Sequence, residues 1–210
     1  KVGTLGRDQR SKAIRAAGYN TFLLRSADVA IDLLTDSGTT AMSTDQWAAY
    51  DGALASPGES DEHKRLVENL RQLFGYEHII PTHQGRAAEH ILSEILIEPG
   101  QLVPGNMYFT TTKLHQELAG GVFVDVIVEE AHDPQSEFPW KGDIDLEKLA
   151  DIVAEHGVEK IAYISFEHSV NMAGGQPVSM DNMREVYAWC SERGIPVMYD
   201  STRVVENAYM

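Results

Sequence analysis

The chain has 210 residues, with 17 Lys and Arg against 32 Asp and Glu, and so carries a formal net charge of −15. That balance argues against a nucleic-acid backbone or an anionic membrane surface as the main partner, and it leaves small molecules open. Cys190 is the only cysteine, which excludes an internal disulfide and fits a reducing compartment. No apolar run approaches the roughly 20 residues of a membrane span, and the opening stretch lacks a signal peptide's apolar core. The expected location is cytoplasmic.

Residues 1–20 read as a polar, basic arm with a short helix around Arg10 to Ala17, stopped by Gly18. Val29–Leu34 has the composition of a strand and runs into the hydroxyl-rich turn Thr35–Thr40. A helix around Thr44–Tyr50 precedes a loose Gly/Ala/Ser/Pro stretch, Asp51–Ser60. In Asp61–Phe74 the apolar residues Leu66, Val67, Leu70, Leu73 and Phe74 recur at helical spacing, with Gly75 as the stop.

From there strands and helices alternate. Ile79-Ile80 is a strand candidate, followed by the turn Thr82–Arg86 and an amphipathic helix through Ile97. Strands are expected at Leu102-Val103, Val122–Val128, Ile161–Phe166 and Val197–Tyr199. Helices are expected at about Thr112–Leu118, at Leu146–His156 behind Asp143 or Asp145, at Met180–Arg193 capped near Ser179, and from Val204 onward. Alternation of this kind predicts an α/β domain, a mostly parallel sheet between two helical layers.

Four features fall at strand ends of that one sheet. Gln84-Gly85-Arg86 opens a helix after a strand, where backbone N–H groups and an arginine can hold a phosphate; a plain βα turn has the same composition. Phe109 follows a strand beside Thr110–Thr112, as a core residue or as an aromatic platform. Asn171 sits in a glycine-tightened loop. Asp200 ends a short apolar strand with Arg203 three residues on, where the carboxylate can cap a helix or meet a cationic ring nitrogen. His83, His115, His132, His168 and Cys190 show no metal-ligand spacing, so no metal site is expected. Phosphate turn, aromatic, asparagine and carboxylate together suit pyridoxal 5′-phosphate.

The sequence resembles the β-eliminating lyases of the aminotransferase-type superfamily. The resemblance is carried by AGYNTFLL (17–24), IDLLTDSGTTAMS (31–43), PTHQGRAAE (81–89) and GNMYFTTTKLHQE (105–117), and further by VNMAGGQPVSMDNMR (170–184) and YDSTRVVENAYM (199–210). It implies a fold type I, aspartate aminotransferase-like large domain that is incomplete at its C-terminal end. Residues 1–50 would form an N-terminal arm and substrate-side loop, and residues 51–210 the first part of the cofactor domain.

The resemblance also implies roles, position by position. Gln84, Gly85 and Arg86 match the phosphate turn, and Phe109 the ring stacked on the pyridine. Thr110 matches a residue near the substrate's aromatic group. Asn171 matches the asparagine shared by the cofactor's phenolic oxygen and the substrate carboxylate. Asp200 matches the partner of the pyridine nitrogen, and Arg203 the arginine near the phenolic oxygen. Thr35 and Ser37 match substrate-side residues.

Two departures accompany these matches. The family's Schiff-base lysine lies downstream of the DSTR motif, beyond Met210, while Lys113, Lys141, Lys148 and Lys160 stand in other contexts. The family's general-acid tyrosine and its glutamate ligand for a monovalent cation such as potassium fall on Pro57 and Ala55, with Tyr50, Glu59 and Glu62 nearby but out of register. The expectation is a cofactor-cradle half of a pyridoxal phosphate-dependent lyase acting on an aromatic or related L-amino acid. A second polypeptide resembling the family's C-terminal half would donate the lysine, in a dimer of heterodimers or a larger hetero-oligomer. A non-catalytic degenerate half and a truncated product of a full-length enzyme are the other readings.

Overall fold

The computed structural model describes residues 5–29, 43–54 and 61–209. The chain divides into two compact units, residues 1–80 and 81–210.

The first unit holds α1 (Arg7–Ala16), α2 (Thr44–Leu54) and α3 (Asp61–Phe74). The α1 entry is fixed at Gly6, whose N–H donates to the Gln9 side chain at 3.0 Å. Helix α2 runs on into the stretch expected to be loose. Its entry is a reciprocal cap: the Ser43 N–H donates to Gln46 Oε1 at 2.7 Å and the Gln46 N–H to Ser43 Oγ at 3.2 Å. Helix α3 has the expected limits, and Gly75 leaves it at φ +73°, a conformation that suits glycine. The strand expected at Val29–Leu34 lies outside the described residues from Ala30 onward, as does the turn Thr35–Thr40.

The second unit is an α/β layer structure. Its elements are α4 (Gly85–Leu96), β1 (Leu102–Gly105), α5 (Thr110–Leu118), β2 (Val122–Asp125), α6 (Leu146–His156), β3 (Ile164–Glu167), α7 (Met180–Glu192), β4 (Val197–Asp200) and α8 (Val204–Tyr209). The strands form one parallel sheet in the order β2-β1-β3-β4. Ile164, Phe166, Leu149, Val186 and Cys190 pack into a core on the α6/α7 face. On the other face Ile97, Val103, Ala162 and Tyr163 form a second, smaller core beneath α4 and α5. Alternation along β4 follows the same division: Val197 and Tyr199 pack on the first core, Met198 on the second.

Three expectations are corrected. Ile79-Ile80 is not a strand: no described residue pairs with it, and Ile80 is 85% exposed. The strand expected over Val122–Val128 stops at Asp125, whose side chain accepts the Ile127 N–H at 2.9 Å and turns the chain. Val126 and Ile127 then pair antiparallel with the segment around Ile144. The strand expected over Ile161–Phe166 is shifted to Ile164–Glu167. Pro104 in β1 offers no N–H, and the β1–β3 ladder is broken between the Leu102–Ile161 bridge and the Gly105–Ser165 pair.

Candidate active site

The carboxyl end of β4, the residue ahead of β3 and the N-terminal turns of α4 lie around one cavity of about 180 Å³. Gly85, Ala88, Glu89 and Leu92 of α4 line it, with Thr112, Tyr163 and the run Met198–Thr202. Gly85, from the expected phosphate turn, and Asp200, from the expected ring-nitrogen position, therefore meet at a single site.

Gln84 is the extended residue ahead of α4 and uses no side-chain cap. The first N–H groups of the 12-residue helix lack intrahelical acceptors, and the positive end of its dipole favours an anion. Gln84, Gly85 and Arg86 are all exposed there. A Cβ placed on Gly85 would meet nothing within 4 Å, so packing within this chain does not require glycine. The open space beside it is where an anion can approach the backbone.

Asp200 ends β4, half-buried. Its Oδ1 accepts the Thr202 N–H at 3.1 Å and the Thr202 hydroxyl at 2.7 Å. The carboxylate thus serves a local turn ahead of α8, with no bond to an N–H of that helix among those described, while lining the cavity. Arg203 is half-buried one residue further on, and its carbonyl accepts the Asn207 N–H at 3.0 Å. Asn171 opens a short 3₁₀ turn and is half-buried. Phe109 is the residue preceding α5, half-buried, and Thr110 is exposed at the start of that helix. Gln84, Arg86, Phe109, Thr110, Asn171 and Arg203 are not among the residues that line the cavity. Thr35, Ser37, Ala55, Pro57 and Glu59 lie outside the described residues.

Three residues of this region escaped the sequence reading. Glu167 ends β3 in register with Asp200 and is 8% exposed. Its Oε1 accepts the Asn171 N–H at 3.2 Å, while buried Oε2 has no hydrogen-bond partner. Burial pushes its carboxyl up to about 7; the Asn171 N–H opposes this, the Asp200 charge adds to it, Arg203 opposes and Glu89 adds. Glu89 accepts the Thr112 hydroxyl at 2.8 Å through Oε1, and its buried Oε2 is also without a partner. Tyr163 is buried, accepts a bond from Gln116 Nε2 at 3.2 Å, and has its phenol raised by burial. Two of them carried a partial signal. Glu167 is a charge closing an apolar run, and Glu89 sits at helical spacing from inward-facing Ser93 and Leu96.

The model for beta-eliminating lyases matches residues 32–210 of this sequence. The chain belongs to the beta-eliminating lyase family. Among this family member's relatives, the tyrosine phenol-lyase of Nostoc punctiforme is 58% identical over 203 residues, covering 97% of this chain and 44% of that protein. The tyrosine phenol-lyase of Intrasporangium calvum is 59% identical over 206 residues, covering 97% and 43%. The chain thus spans less than half the length of these relatives.

Among solved structures, an aspartate aminotransferase from Thermotoga maritima aligns with a TM-score of 0.57 at 12% identity, over 94% of this chain and 54% of that one. Bna3p of Saccharomyces cerevisiae, a putative kynurenine aminotransferase, aligns with a TM-score of 0.57 at 15% identity, over 76% and 40%. These likenesses show the fold of the family member: part of an aspartate aminotransferase-like, fold type I large domain. Among the described residues no group of three or more His, Cys, Asp or Glu could hold a metal ion. No helix there is long and apolar enough to cross a membrane.

Proposed function

We propose that this chain is the cofactor-cradle portion of a pyridoxal 5′-phosphate-dependent carbon–carbon lyase acting on an aromatic or related L-amino acid. The observation that carries this reading is the shared cavity of Gly85 and Asp200, with a helix N-terminus at one wall and a fixed carboxylate at another. The donor set fits the cofactor: N–H groups and Arg86 for a phosphate, a carboxylate for a ring nitrogen, and two buried carboxyl oxygens without partners near that end.

In this reading the α4 N-terminus and Arg86 bind the phosphate. Asp200 holds the proton on the pyridine nitrogen, and Thr202 keeps that carboxylate turned toward it. Asn171 and Arg203 flank the ring's oxygen, Phe109 covers the ring, and Thr110 attends the substrate side. When bound, the cofactor supplies an electron sink for negative charge developing at the amino acid's α-carbon. The lysine that would tether it is assigned to a second polypeptide resembling the remaining part of the relatives, in a cytoplasmic hetero-oligomer. Thr35 and Ser37 are assigned to the substrate carried in that assembly.

The test is binding of pyridoxal 5′-phosphate to the chain, followed by addition of that second polypeptide. Saturable binding that Asp200→Ala weakens, and β-elimination or other cleavage at Cα or Cβ of an aromatic or related L-amino acid on mixing, are the expected results. Binding indifferent to Asp200 would sink the reading. A non-catalytic role is the second reading, favoured by Pro57 at the register of the family's general-acid tyrosine. It predicts cofactor binding with no elimination in the mixed assembly.

A further inference from the structure

We propose that Glu167 is a positioning residue that holds a dissociable proton behind Asp200 and releases it when a cationic ring nitrogen docks on Asp200. Ligand capture at this site is then coupled to proton release. The inference rests on the cofactor reading above and assigns a role to a residue outside the cavity lining.

The geometry comes first. Glu167 and Asp200 are paired across adjacent parallel strands, and the His168 N–H donates to the Asp200 carbonyl at 3.0 Å. Residues in register on parallel neighbours point to the same face. Ile164 and Phe166 pack on the α6/α7 side, so alternation sends Glu167 to the α4 side with Met198 and Asp200. Its backbone is held at both ends by Asn106, which leaves the side chain little freedom to swing out to water.

The chemistry follows from what surrounds the carboxyl. Oε1 has one donor, the Asn171 N–H, and Oε2 has none. A buried carboxylate with one bare oxygen is costly unless it is neutralised. The charged groups that act on it are Asp200 from β4, Glu89 from α4 and Arg203 from the turn before α8, and the two carboxylates disfavour its ionisation. A cation seated on Asp200 cancels the larger of these repulsions. The Glu167 O–H bond then breaks, the proton passes to solvent, and the electron pair stays on the carboxylate, adding its field to that of Asp200. No oxidation or reduction is involved.

The test uses 4′-deoxypyridoxine 5′-phosphate, which has the ring nitrogen and the phosphate but no aldehyde to bond with a lysine. Carboxyl NMR of the glutamate-labelled protein, assigned by the signal lost in Glu167→Gln, should show Glu167 titrating near pH 7 without the probe. Saturation with the probe should move that midpoint downward. Calorimetry in two buffers of different ionisation enthalpy should show a proton released near neutral pH by the wild type and not by Glu167→Gln. For a downward shift of one unit, probe affinity should rise about sixfold more in the wild type than in Glu167→Gln between about pH 5.5 and about pH 7.5.

The probe's own phosphate titrates in both proteins and cancels in that comparison. A Glu167 midpoint in the ordinary carboxylate range, or one the probe leaves in place, overturns the inference; if Glu167→Gln does not fold, the signal displaced in Glu167→Asp supplies the assignment. Probe binding that requires Asp200 but releases the same proton in both proteins overturns the inference alone. Probe binding that ignores Asp200→Ala, or no binding, overturns the cofactor reading and the inference with it.

Discussion

Asn106 holds both backbone hydrogen-bonding groups of Glu167. Its Oδ1 accepts the Glu167 N–H at 2.8 Å, and its Nδ2 donates to the Glu167 carbonyl at 2.9 Å and to the Gly142 carbonyl at 2.8 Å. The side chain is fully buried. Asn106→Ala should therefore destabilise the fold by about 2–4 kcal/mol, because backbone groups are left buried and unpaired. Chemical unfolding with an unchanged denaturant slope would measure it. A loss below about 1 kcal/mol would mean that water or a neighbour replaces the amide.

Glu167 gives the protein a pH dependence of known sign. Its carboxyl has an ordinary value of 4.5 and is pushed up to about 7 in the fold, by burial above all. The native state thus keeps the proton after the unfolded chain has lost it. The stability this confers is complete below about pH 4.5 and is lost as the pH rises through about 7. The loss is on the order of 3 kcal/mol. Glu167→Gln should flatten this part of the profile, seen by comparing unfolding midpoints of the two proteins at about pH 5 and about pH 8.

Gly105 closes β1 where a side chain has no room. A Cβ there would meet the Ser165 carbonyl oxygen at 2.6 Å and the Phe123 ring at 2.9 Å. Gly105→Ala should cost about 1–3 kcal/mol, by pushing β1 away from β3. The readout is thermal unfolding. A neutral result would show that the Phe123 ring and the strand yield together.

Asp200→Ala should leave the secondary structure intact and weaken a pyridine-bearing ligand by on the order of 2–5 kcal/mol, the range for losing one partner of a buried charge pair. A benzene analogue that keeps the phosphate should bind both proteins alike. Equal losses for the two ligands would assign Asp200 to the turn it makes with Thr202 rather than to the ring.

Arg86→Ala should weaken any phosphate-bearing ligand by about 1.5–3 kcal/mol, the range for hydrogen bonds to charged groups. The unphosphorylated form of the same ligand should be indifferent to the substitution. Titration of both ligands by fluorescence separates the two cases.

The helices were legible because their apolar spacing and their caps both lie in the sequence. Asp145 accepts the Glu147 and Lys148 N–H groups, and Ser179 accepts that of Asn182, at the expected starts of α6 and α7. Strand limits were less legible, since apolar content does not say where a neighbouring backbone ends. Val126-Ile127 is as apolar as β2, yet the Asp125 side chain diverts it to pair beside Ile144. Ile79-Ile80 has strand composition and no described strand to pair with.

At the site, Gly85 and Asp200 could be read from their positions at helix and strand ends. Glu167 could not, because its meaning depends on its register with Asp200 and on the depth of the Asn106 anchor. Asn207 is similar. It sits in the last helix, yet it accepts the Ser169 and Val178 N–H groups and donates to the Val178 carbonyl, tying α8 to the Asn171 loop.

Thr202 takes hold of one oxygen of Asp200 from two directions, by its amide and by its hydroxyl. The plane of that carboxylate is therefore set when the chain folds, before any visitor arrives. Recognition becomes a matter of alignment: a heterocycle with its nitrogen one atom out of place would find the acid facing past it, and the side chain could not rotate to follow.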